Sequence, residues 1–563
     1  MVQSANAWIS KPDGPIPTDR EGPLAGLSFA VKDNIDVAGF ETTAGCPAFA
    51  RRATAHATVV RKLLEAGARF AGKTNLDQFA CGLNGTRSPY GAVPNAFDAA
   101  FIGGGSSSGS AFVVASGEVD FALGTDTAGS GRVPAGLNNI VGLKPSRGLV
   151  SAHGVVPAAQ SVDCVAIFAR TVGLASQVLQ VVAGPDAQDP YSRRIALAAS
   201  PWAASFRFGV PDALDFQGDE VQKAAFALAV ERLRGLGGTP VTIDYEPLAE
   251  AASMLYGSAL VAERYAAVRE FFDAHEAEVI EPVRSIIASG RRYSAADWCD
   301  AQVRLHAIAQ RAAPMWEAID VLVLPTAPTH YTIAQMQADP VALNRNLGAH
   351  TNFVNLLDCA ALSVPSSMRP DGLPFGITLV APCGSDWQLA ELGQRYHHAT
   401  ALMQGATGKP LPPMQPIPGL SSARDSVDLA VVGAHLRGMP LNAQLTGRGA
   451  TFVREDRTAP DYRLYALPGT VPPKPGLVRV APGRGHAIAI EVWRVPLAQY
   501  GSFVAMVPSP LAIGTLKLAD GSGVQGFLCE QLATDGAQDI SASGGWRNHI
   551  ASLAAMNLER NSP

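Results

Sequence analysis

Residues 101–135 read FIGGGSSSGSAFVVASGEVDFALGTDTAGSGRVPA, which is an apolar run between two loops rich in Gly and Ser. Glycine lets a backbone approach a ligand closely, and a buried run can bring two such loops together. We expect a helix over residues 110–117 and a strand over residues 119–125. This order would place both loops at one edge of a sheet, where α/β enzymes generally keep their sites.

Ser130, in the second loop, is the predicted nucleophile. The residues from Thr127 through Ala128 and Gly129 to Ser130 are small, so their successive N–H groups can converge on an oxyanion and are the predicted oxyanion hole. Asp126 and Arg132 flank this loop, and we interpret them as an ion pair that holds its shape. A serine needs a base. No histidine stands out for that task, whereas a lysine can perform it if burial or hydrogen bonding lowers its pKa.

A family resemblance extends over most of residues 20–400. Residues 103–135 closely resemble the signature of the amidase signature family. Three flanking segments resemble its allophanate hydrolase branch: FAVKDNIDVAGFETTAGCPAF (29–49), GKTNLDQFACGLNGTRSPYG (72–91) and NNIVGLKPSRGLVSAHGVVP (138–157). The resemblance implies a catalytic triad in which Ser130 attacks, Ser106 bridges after a cis peptide from Gly105, and Lys32 is the base. Residues 26–37 alternate between apolar and polar side chains, so we expect a strand there that brings Lys32 to the edge of a loop.

The same resemblance implies the fold, the reaction and the substrate contacts. The fold would be the α/β amidase signature fold, a mixed central sheet covered by helices. The reaction would be hydrolysis of allophanate to ammonia and carbon dioxide through an acyl-enzyme, with no cofactor. Tyr256 and Arg264 would hold the substrate carboxylate, which suits the planar fork of a guanidinium. They stand eight residues apart on a predicted long helix from Leu248, so both would point to nearly one face.

Composition changes after residue 407. We expect an amidase signature domain over residues 1–407, a Pro-rich linker over 408–424 and a small β-rich domain over 425–563. The predicted strands of the last domain cover residues 429–432, 450–453, 462–467, 486–495 and 522–528. Residues 431–435 and 491–493 distantly resemble γ-glutamylcyclotransferase-like folds. Allophanate hydrolases have such a domain, which implies a role in processing the first product, and His486 is the catalytic candidate there.

Two short motifs match the patterns of other protein classes, namely nucleotide-binding proteins and α/β-hydrolases. GARFAGKT (67–74) matches the phosphate-loop pattern, but a helix is predicted before it and a strand within it, the reverse of a true phosphate loop. GSSSG (105–109) matches the elbow of α/β-hydrolases with Ser107 as nucleophile, but nothing marks a strand before it and no downstream Asp or His stands out. We interpret neither motif as functional.

Charge, cysteine and histidine patterns argue against several other classes of protein. Lys and Arg total 44 against 49 Asp and Glu, without long charge blocks, which gives nucleic-acid binding no support. The seven scattered cysteines and the absence of a leader pattern or a long apolar run predict a cytoplasmic protein with reduced thiols and no membrane span. The histidines lack metal-ligand spacing, so we expect no metal.

The expected partners are the small-molecule substrate allophanate, a second copy in a homodimer, and a separate urea carboxylase or biuret-forming enzyme as its source. Two alternatives stay open at this point. One is another amidase of the same fold, such as an aryl or aliphatic amidase or the amidotransferase subunit that acts on charged tRNA. The other is a scaffold in which the Gly/Ser loops are only structural.

Overall fold

A computed structural model describes residues 6–12, 16, 20–420 and 426–560 of the chain. The chain divides into two compact units, one of Met1–Ile195 with Ala204–Pro418 and one of Ala196–Ala203 with Gly419–Pro563. The division after Pro418 lies inside the predicted linker, of which residues 421–424 fall outside the described part. The predicted domain limits stay predictions. The sequence did not predict that Ala196–Ala203 belongs to the second unit.

The first unit is built on a mixed sheet of eleven described strands in the order β1-β5-β2-β6-β8-β7-β12-β13-β11-β9-β10, beside a small pair formed by β3 and β4. Parallel pairing joins β5, β2 and β6 on one side and β11, β9 and β10 on the other. The strands are β1 (Trp8–Ser10), β2 (Ser28–Lys32), β3 (Glu41–Thr42), β4 (Arg51–Arg52), β5 (Arg69–Thr74), β6 (Phe121–Asp126), β7 (Val141–Lys144), β8 (Cys164–Ala169), β9 (Phe206–Pro211), β10 (Gly238–Ile243), β11 (Val321–Pro325), β12 (Cys359–Met368) and β13 (Pro374–Pro382).

Fourteen α-helices accompany this sheet in the described part of the unit. They are α1 (Thr58–Glu65), α2 (Ser108–Ala115), α3 (Val133–Leu137), α4 (Val172–Val182), α5 (Glu220–Gly235), α6 (Glu246–Gly257), α7 (Ala262–His275), α8 (Val283–Ser289), α9 (Ala295–Ala312), α10 (Met315–Ala318), α11 (Ile333–Ala338), α12 (Ala342–Leu347), α13 (Phe353–Leu356) and α14 (Asp386–Ala399). This architecture confirms the predicted α/β fold with a mixed sheet covered by helices.

The three strands β5, β2 and β6 carry the start of the candidate site. Phe29 of β2 stacks on Phe121 of β6 at 5.4 Å between ring centroids and meets Phe70 of β5 edge-on at 6.0 Å. Aromatic pairs in these geometries add to the stability that burial already supplies. Strand β2 is shorter than the predicted 26–37, because the chain turns directly after Lys32 and the Ile35 N–H donates to the Lys32 carbonyl. Lys32 therefore lies at the carboxyl end of its strand.

Helix α2 lies between the two Gly/Ser loops and is buried along its whole length. Its sequence, SGSAFVVA, combines small and apolar side chains, which is typical of a helix packed on all sides. Strand β6, also fully buried, follows it. The helix and strand predicted for residues 110–117 and 119–125 are thus confirmed, each displaced by about two residues.

The second unit is β-rich, as predicted. A five-stranded sheet has the order β15-β18-β14-β20-β19, and a three-stranded sheet has the order β17-β16-β21. The elements are β14 (Ser426–Val431), α15 (Ala443–Thr446), β15 (Thr451–Arg457), β16 (Tyr462–Ala466), β17 (Pro475–Arg479), β18 (Ala489–Pro496), α16 (Leu497–Val504), β19 (Leu511–Lys517), β20 (Gly523–Cys529), β21 (Gln538–Asp539) and α17 (Trp546–Arg560). All five predicted strands have an observed counterpart. Strands β17, β19 and β21 were missed. The Pro and Gly residues within or beside β17 and β19 are typical of turns, and β21 is only two residues long.

In the part of the chain that the structure describes, no helix combines the length and apolar character needed to cross a membrane.

Candidate active site

The side chain of Lys32 is fully buried, and its amine lies among hydroxyl groups. Lys32 Nζ is 2.8 Å from Ser106 Oγ and 2.7 Å from Thr125 Oγ1. Burial lowers the pKa of Lys32 to about 7, although nearby carboxylates, Asp77 foremost, act to raise it. A large fraction of the amine is therefore neutral at physiological pH and can accept a proton from a hydroxyl.

Ser106 stands in the first Gly/Ser loop, directly before α2. The peptide bond from Gly105 to Ser106 is cis, as the resemblance implies. A side chain at Gly105 would collide with the carboxylate of Asp77, and the Ser106 carbonyl accepts a hydrogen bond from the Asp77 N–H at 3.1 Å. Ser107 binds the backbone of Thr125 in both directions, at 3.2 and 3.3 Å. Ser107 is thus a structural anchor between the loop and β6, which supports setting the GSSSG motif aside.

Ser130 stands in the second loop, between β6 and α3. It is buried, and its hydroxyl donates to the Gly82 carbonyl at 3.4 Å. Gly129 has a φ of +148°, and a side chain there would collide with Thr351. The loop therefore depends on glycine both for its backbone conformation and for the close approach of a neighbour.

Asp126 and Arg132 form the predicted ion pair beneath this loop. Arg132 donates through Nε and Nη2 to the two oxygens of Asp126, each at 2.9 Å, and both side chains are fully buried. Burial acts to raise the pKa of Asp126, but the charge and hydrogen bonds of Arg132 outweigh it, so the pKa is lowered. Asp126 also accepts the Gly131 N–H at 3.1 Å, which ties the pair to the backbone beside Ser130.

Asp77 joins the two serine loops, a role that sequence reasoning missed. Its buried carboxylate accepts backbone N–H groups of Asn84, Gly85 and Arg87 at 3.0 to 3.2 Å. These bonds curl residues 77–87 so that the Gly82 carbonyl reaches Ser130, while the Asp77 N–H holds Ser106. The only sequence signal for this role was the resemblance of residues 72–91 to the family.

Asp163 was missed as well. Thr127 Oγ1 donates to it at 2.5 Å, and it accepts the N–H groups of Ala158 and Ala159. Burial raises the pKa of Asp163 even though these hydrogen bonds and the charge of Arg264 favour the carboxylate. Asp163 positions the first residue of the predicted oxyanion hole.

Tyr256 and Arg264 meet as expected, but the single helix predicted for them is wrong. Tyr256 lies in the last turn of α6 and Arg264 in the first turn of α7, because Ser258 is extended (φ −136°, ψ −177°) and breaks the helix. Arg264 Nη2 donates to Tyr256 Oη at 2.9 Å, and the guanidinium carbon is 4.8 Å from the ring centroid.

The buried guanidinium of Arg264 keeps unused donors. Its Nε and Nη1 have no hydrogen-bond partner among the described residues, although both are shielded from solvent. Burial raises the pKa of Tyr256, so its phenol stays protonated and can donate while it accepts from Arg264. Arg264 also acts to lower the pKa of Lys32, which places this cation within electrostatic reach of the base. Such an arrangement suits an anionic group of a ligand.

In the second unit, a histidine other than the predicted one lines a cavity. His486 is exposed, and its backbone N–H donates to the Tyr462 carbonyl at 2.7 Å. His435 lines a cavity of about 230 Å³, stacked on Phe527 at 5.1 Å between centroids, with Nε2 2.9 Å from Gln444 Oε1. The catalytic role of His486 stays a prediction, and the lining of this cavity does not include it.

No group of three His, Cys, Asp or Glu side chains within the described ranges is arranged to hold a metal ion.

Two family models match the chain. One described as Amidase matches residues 1–390, and one described as Allophanate hydrolase C-terminal domain matches residues 427–551. The urea amidolyase of Saccharomyces cerevisiae is 43% identical over 553 residues, which are 96% of this chain but 30% of that protein. The chain therefore spans less than a third of such relatives.

Solved structures and a second group of relatives agree with these matches. The crystallised allophanate hydrolase of Kluyveromyces lactis is 40% identical with a TM-score of 0.74, and the match covers 98% of this chain and 95% of that one. One subunit of the glutamyl-tRNA(Gln) amidotransferase of Haloarcula marismortui is 34% identical over 404 residues, which are 66% of this chain and 95% of that protein. The amidotransferase match covers too little of this chain to include both units, whereas the allophanate hydrolase match covers nearly all of it.

Proposed function

This chain belongs to the amidase family and has an allophanate hydrolase C-terminal domain, and from that premise we propose that it hydrolyses allophanate to ammonia and carbon dioxide. The observation that carries the proposal is the buried Lys32 amine, with a pKa of about 7, at 2.8 Å from Ser106. The K. lactis allophanate hydrolase supports the choice of substrate, since the match covers nearly its whole length.

In the proposed reaction, neutral Lys32 draws a proton from Ser106, which in turn takes the proton of Ser130. Ser130 then attacks the terminal amide carbonyl of allophanate. Backbone N–H groups from Thr127 to Ser130 would stabilise the oxyanion, and one such donor is typically worth about 3 kcal/mol in the transition state. Ammonia leaves with a proton returned along the relay, and water releases the acyl group. The resulting dicarboxylated amine is unstable and gives carbon dioxide and a second ammonia.

Arg264 and Tyr256 would bind the carboxylate of allophanate. The unused donors of Arg264 can form charge-assisted hydrogen bonds to its oxygens, and the Tyr256 hydroxyl can supply another. A neutral amide has no group that would satisfy these donors. The pair therefore favours allophanate over the substrates of other amidases of this fold.

Substitution of the triad tests this mechanism. Ser130→Ala and Lys32→Ala should each abolish ammonia release from allophanate while circular dichroism stays unchanged, with a loss of at least about 100-fold for the base. Lys223→Ala serves as the control, because Lys223 is exposed on α5 and is not among the residues proposed for the reaction. Full activity in either triad variant would rule out the proposed relay.

The wider setting is also a proposal. We expect a cytoplasmic homodimer supplied by a separate urea carboxylase or biuret-forming enzyme. All seven cysteines are unpaired, which supports a reducing compartment. The similarity to urea amidolyases supports a link to urea breakdown.

A further inference from the structure

The peptide unit between Gly82 and Leu83 links the Ser130 side chain to a distant helix. Its carbonyl, on Gly82, accepts the Ser130 hydroxyl at 3.4 Å, and its N–H, on Leu83, donates to Asn344 Oδ1 at 2.8 Å. This bond is trans and planar, with its C=O and N–H groups pointing in opposite directions, so a partner on one side limits the direction of the other. The contact with Asn344 therefore fixes where the Gly82 carbonyl points.

The side chain of Asn344 is itself held firmly against this loop. Asn344 lies in α12, 261 residues along the chain from Leu83, and is 6% exposed. Its Oδ1 also accepts the side-chain amide of Asn84 at 2.8 Å, so one buried oxygen binds two consecutive residues. An amide oxygen has two lone pairs, and both are used here. The oxygen therefore cannot turn away from Leu83 without losing both bonds.

A second contact holds the same two segments together. The buried guanidinium of Arg87 donates through Nη1 to the Cys81 carbonyl at 2.8 Å and through Nη2 to the carbonyl of Pro340, just before α12. Within the loop, Asn344 binds the N–H of Leu83, and the carboxylate of Asp77 binds the next two N–H groups. A buried N–H without a partner is costly, so these side chains replace the bonds that a helix or strand would supply.

We propose that Asn344 is a positioning residue for acylation, which holds the Gly82 carbonyl toward Ser130 by accepting the Leu83 N–H. Asn344 acts through this peptide rather than on the substrate. If the carbonyl turned, the Ser130 side chain would lose the acceptor that fixes its position, and a displacement of about 1 Å can slow a reaction about 100-fold. The inference rests on the proposed function, since that function assigns Ser130 as the nucleophile.

Replacement of Asn344 with leucine tests the inference. Leucine has nearly the same shape but no acceptor, so the peptide loses its partner. In Asn344→Leu, labelling of Ser130 by a fluorophosphonate should slow roughly 10- to 100-fold, and kcat for ammonia release from allophanate should fall by a similar factor. KM should hardly change, because Arg264 and Tyr256 are untouched. The inflection of the pH profile near 7 should stay in place, because Asn344 carries no charge.

Two further variants separate positioning from folding. Asn344→Asp keeps the Oδ1 acceptor and should retain most of the labelling rate well above the pH at which Lys32 titrates. Asn346→Leu makes the same substitution on the same helix, where Asn346 binds Gln217 and Tyr331 instead of the loop, and should leave the rate unchanged. A role in folding alone would lower stability in urea denaturation without changing the labelling rate of the folded protein.

The outcomes distinguish this inference from the proposed function. The full labelling rate in folded Asn344→Leu would overturn the inference, and so would a loss of about 10-fold or more in Asn344→Asp, which keeps the acceptor. If circular dichroism shows that Asn344→Leu does not fold, Asn344→Ala, which lacks the acceptor and adds no bulk, takes its place. Labelling does not require allophanate, so a labelled but otherwise unmodified chain that releases no ammonia from allophanate would contradict the proposed function alone.

Discussion

The pKa of Lys32 depends on charged residues from distant segments of the chain. Burial is the largest influence on its pKa, the carboxylates of Asp77, Asp163 and Asp126 act against burial, and Arg264 acts with it. The result, a pKa of about 7, lets the amine be neutral at physiological pH without being so weakly basic that it accepts no proton.

The pH dependence of catalysis should report this residue. Protonated Lys32 is inactive as a base, so kcat/KM for ammonia release should fall about 10-fold per pH unit below the pKa near 7 and level off above it. In Arg264→Gln, a cation that lowers the pKa is lost, and the inflection should move to higher pH. A flat profile from pH 5 to 9, or a downward shift in the variant, would contradict the assignment of Lys32 as base.

Arg264 should discriminate between charged and neutral substrates. Loss of its hydrogen bonds in Arg264→Ala should raise KM for allophanate roughly 10- to 100-fold, the range for bonds to a charged group, with a much smaller effect on a neutral amide such as propionamide. Arg269→Ala, an exposed arginine on the same helix, is the matched control and should change neither KM. An equal rise for both substrates would exclude a carboxylate-binding role.

Among the secondary-structure elements, β5 shows why residues 67–74 match the phosphate-loop pattern without forming a phosphate loop. Lys73 lies inside this strand, fully buried, with Nζ 2.9 Å from Asp33 Oδ1 and 3.1 Å from the Glu41 carbonyl. Asp33 directly follows Lys32 and also accepts the N–H of Thr43 at 2.9 Å. Lys73, the lysine of the apparent phosphate loop, therefore stabilises the segment that follows Lys32, the proposed base.

Lys73→Met should consequently lower stability. Removing one partner leaves Asp33 buried without its counter-charge, and breaking such a pair typically costs about 3–5 kcal/mol of unfolding free energy. The exposed pair of Arg61 and Glu65 is the comparison, since Arg61→Met should cost less than about 1 kcal/mol. Urea denaturation of both variants measures the difference. Equal small losses would mean that the buried pair contributes no more than a surface one.

For the whole molecule, the two units have separate cores. One cluster in the first unit includes Ala128, Val133 and Leu137 beside the Ser130 loop. The core of the second unit centres on its own strands, with Leu429, Val492 and others. Every group proposed for acylation belongs to the first unit.

A chain ending at Leu420 should therefore keep the acylation chemistry. Fluorophosphonate labelling of this shortened chain should modify Ser130 at the rate seen in the full chain, because Lys32, Ser106 and Ser130 all remain. Ser130→Ala in either length is the control and should not be labelled. Loss of labelling with unchanged circular dichroism would show that the second unit is needed for the reactive serine.

Much of the site could be predicted from contiguous sequence. The Gly/Ser loops, the buried helix and strand between them, and the Asp126–Arg132 pair all lie within residues 101–135, where spacing along the chain also limits separation in space. Family resemblance added Lys32 and the cis peptide at Ser106. The break at Ser258 was not predicted, because helical periodicity continues across a residue whose extended backbone depends on its neighbours.

Only the tertiary structure revealed the roles of Asp77 and Asp163 and the cavity that His435 lines. Asp77 binds backbone groups and Asp163 anchors a hydroxyl 36 residues away, and neither interaction leaves a periodic or compositional signal. Likewise, the sequence around a single buried histidine does not distinguish it from any other histidine. Local sequence determines which segments become loops, helices and strands, but which polar atoms remain buried without a partner depends on how those segments pack.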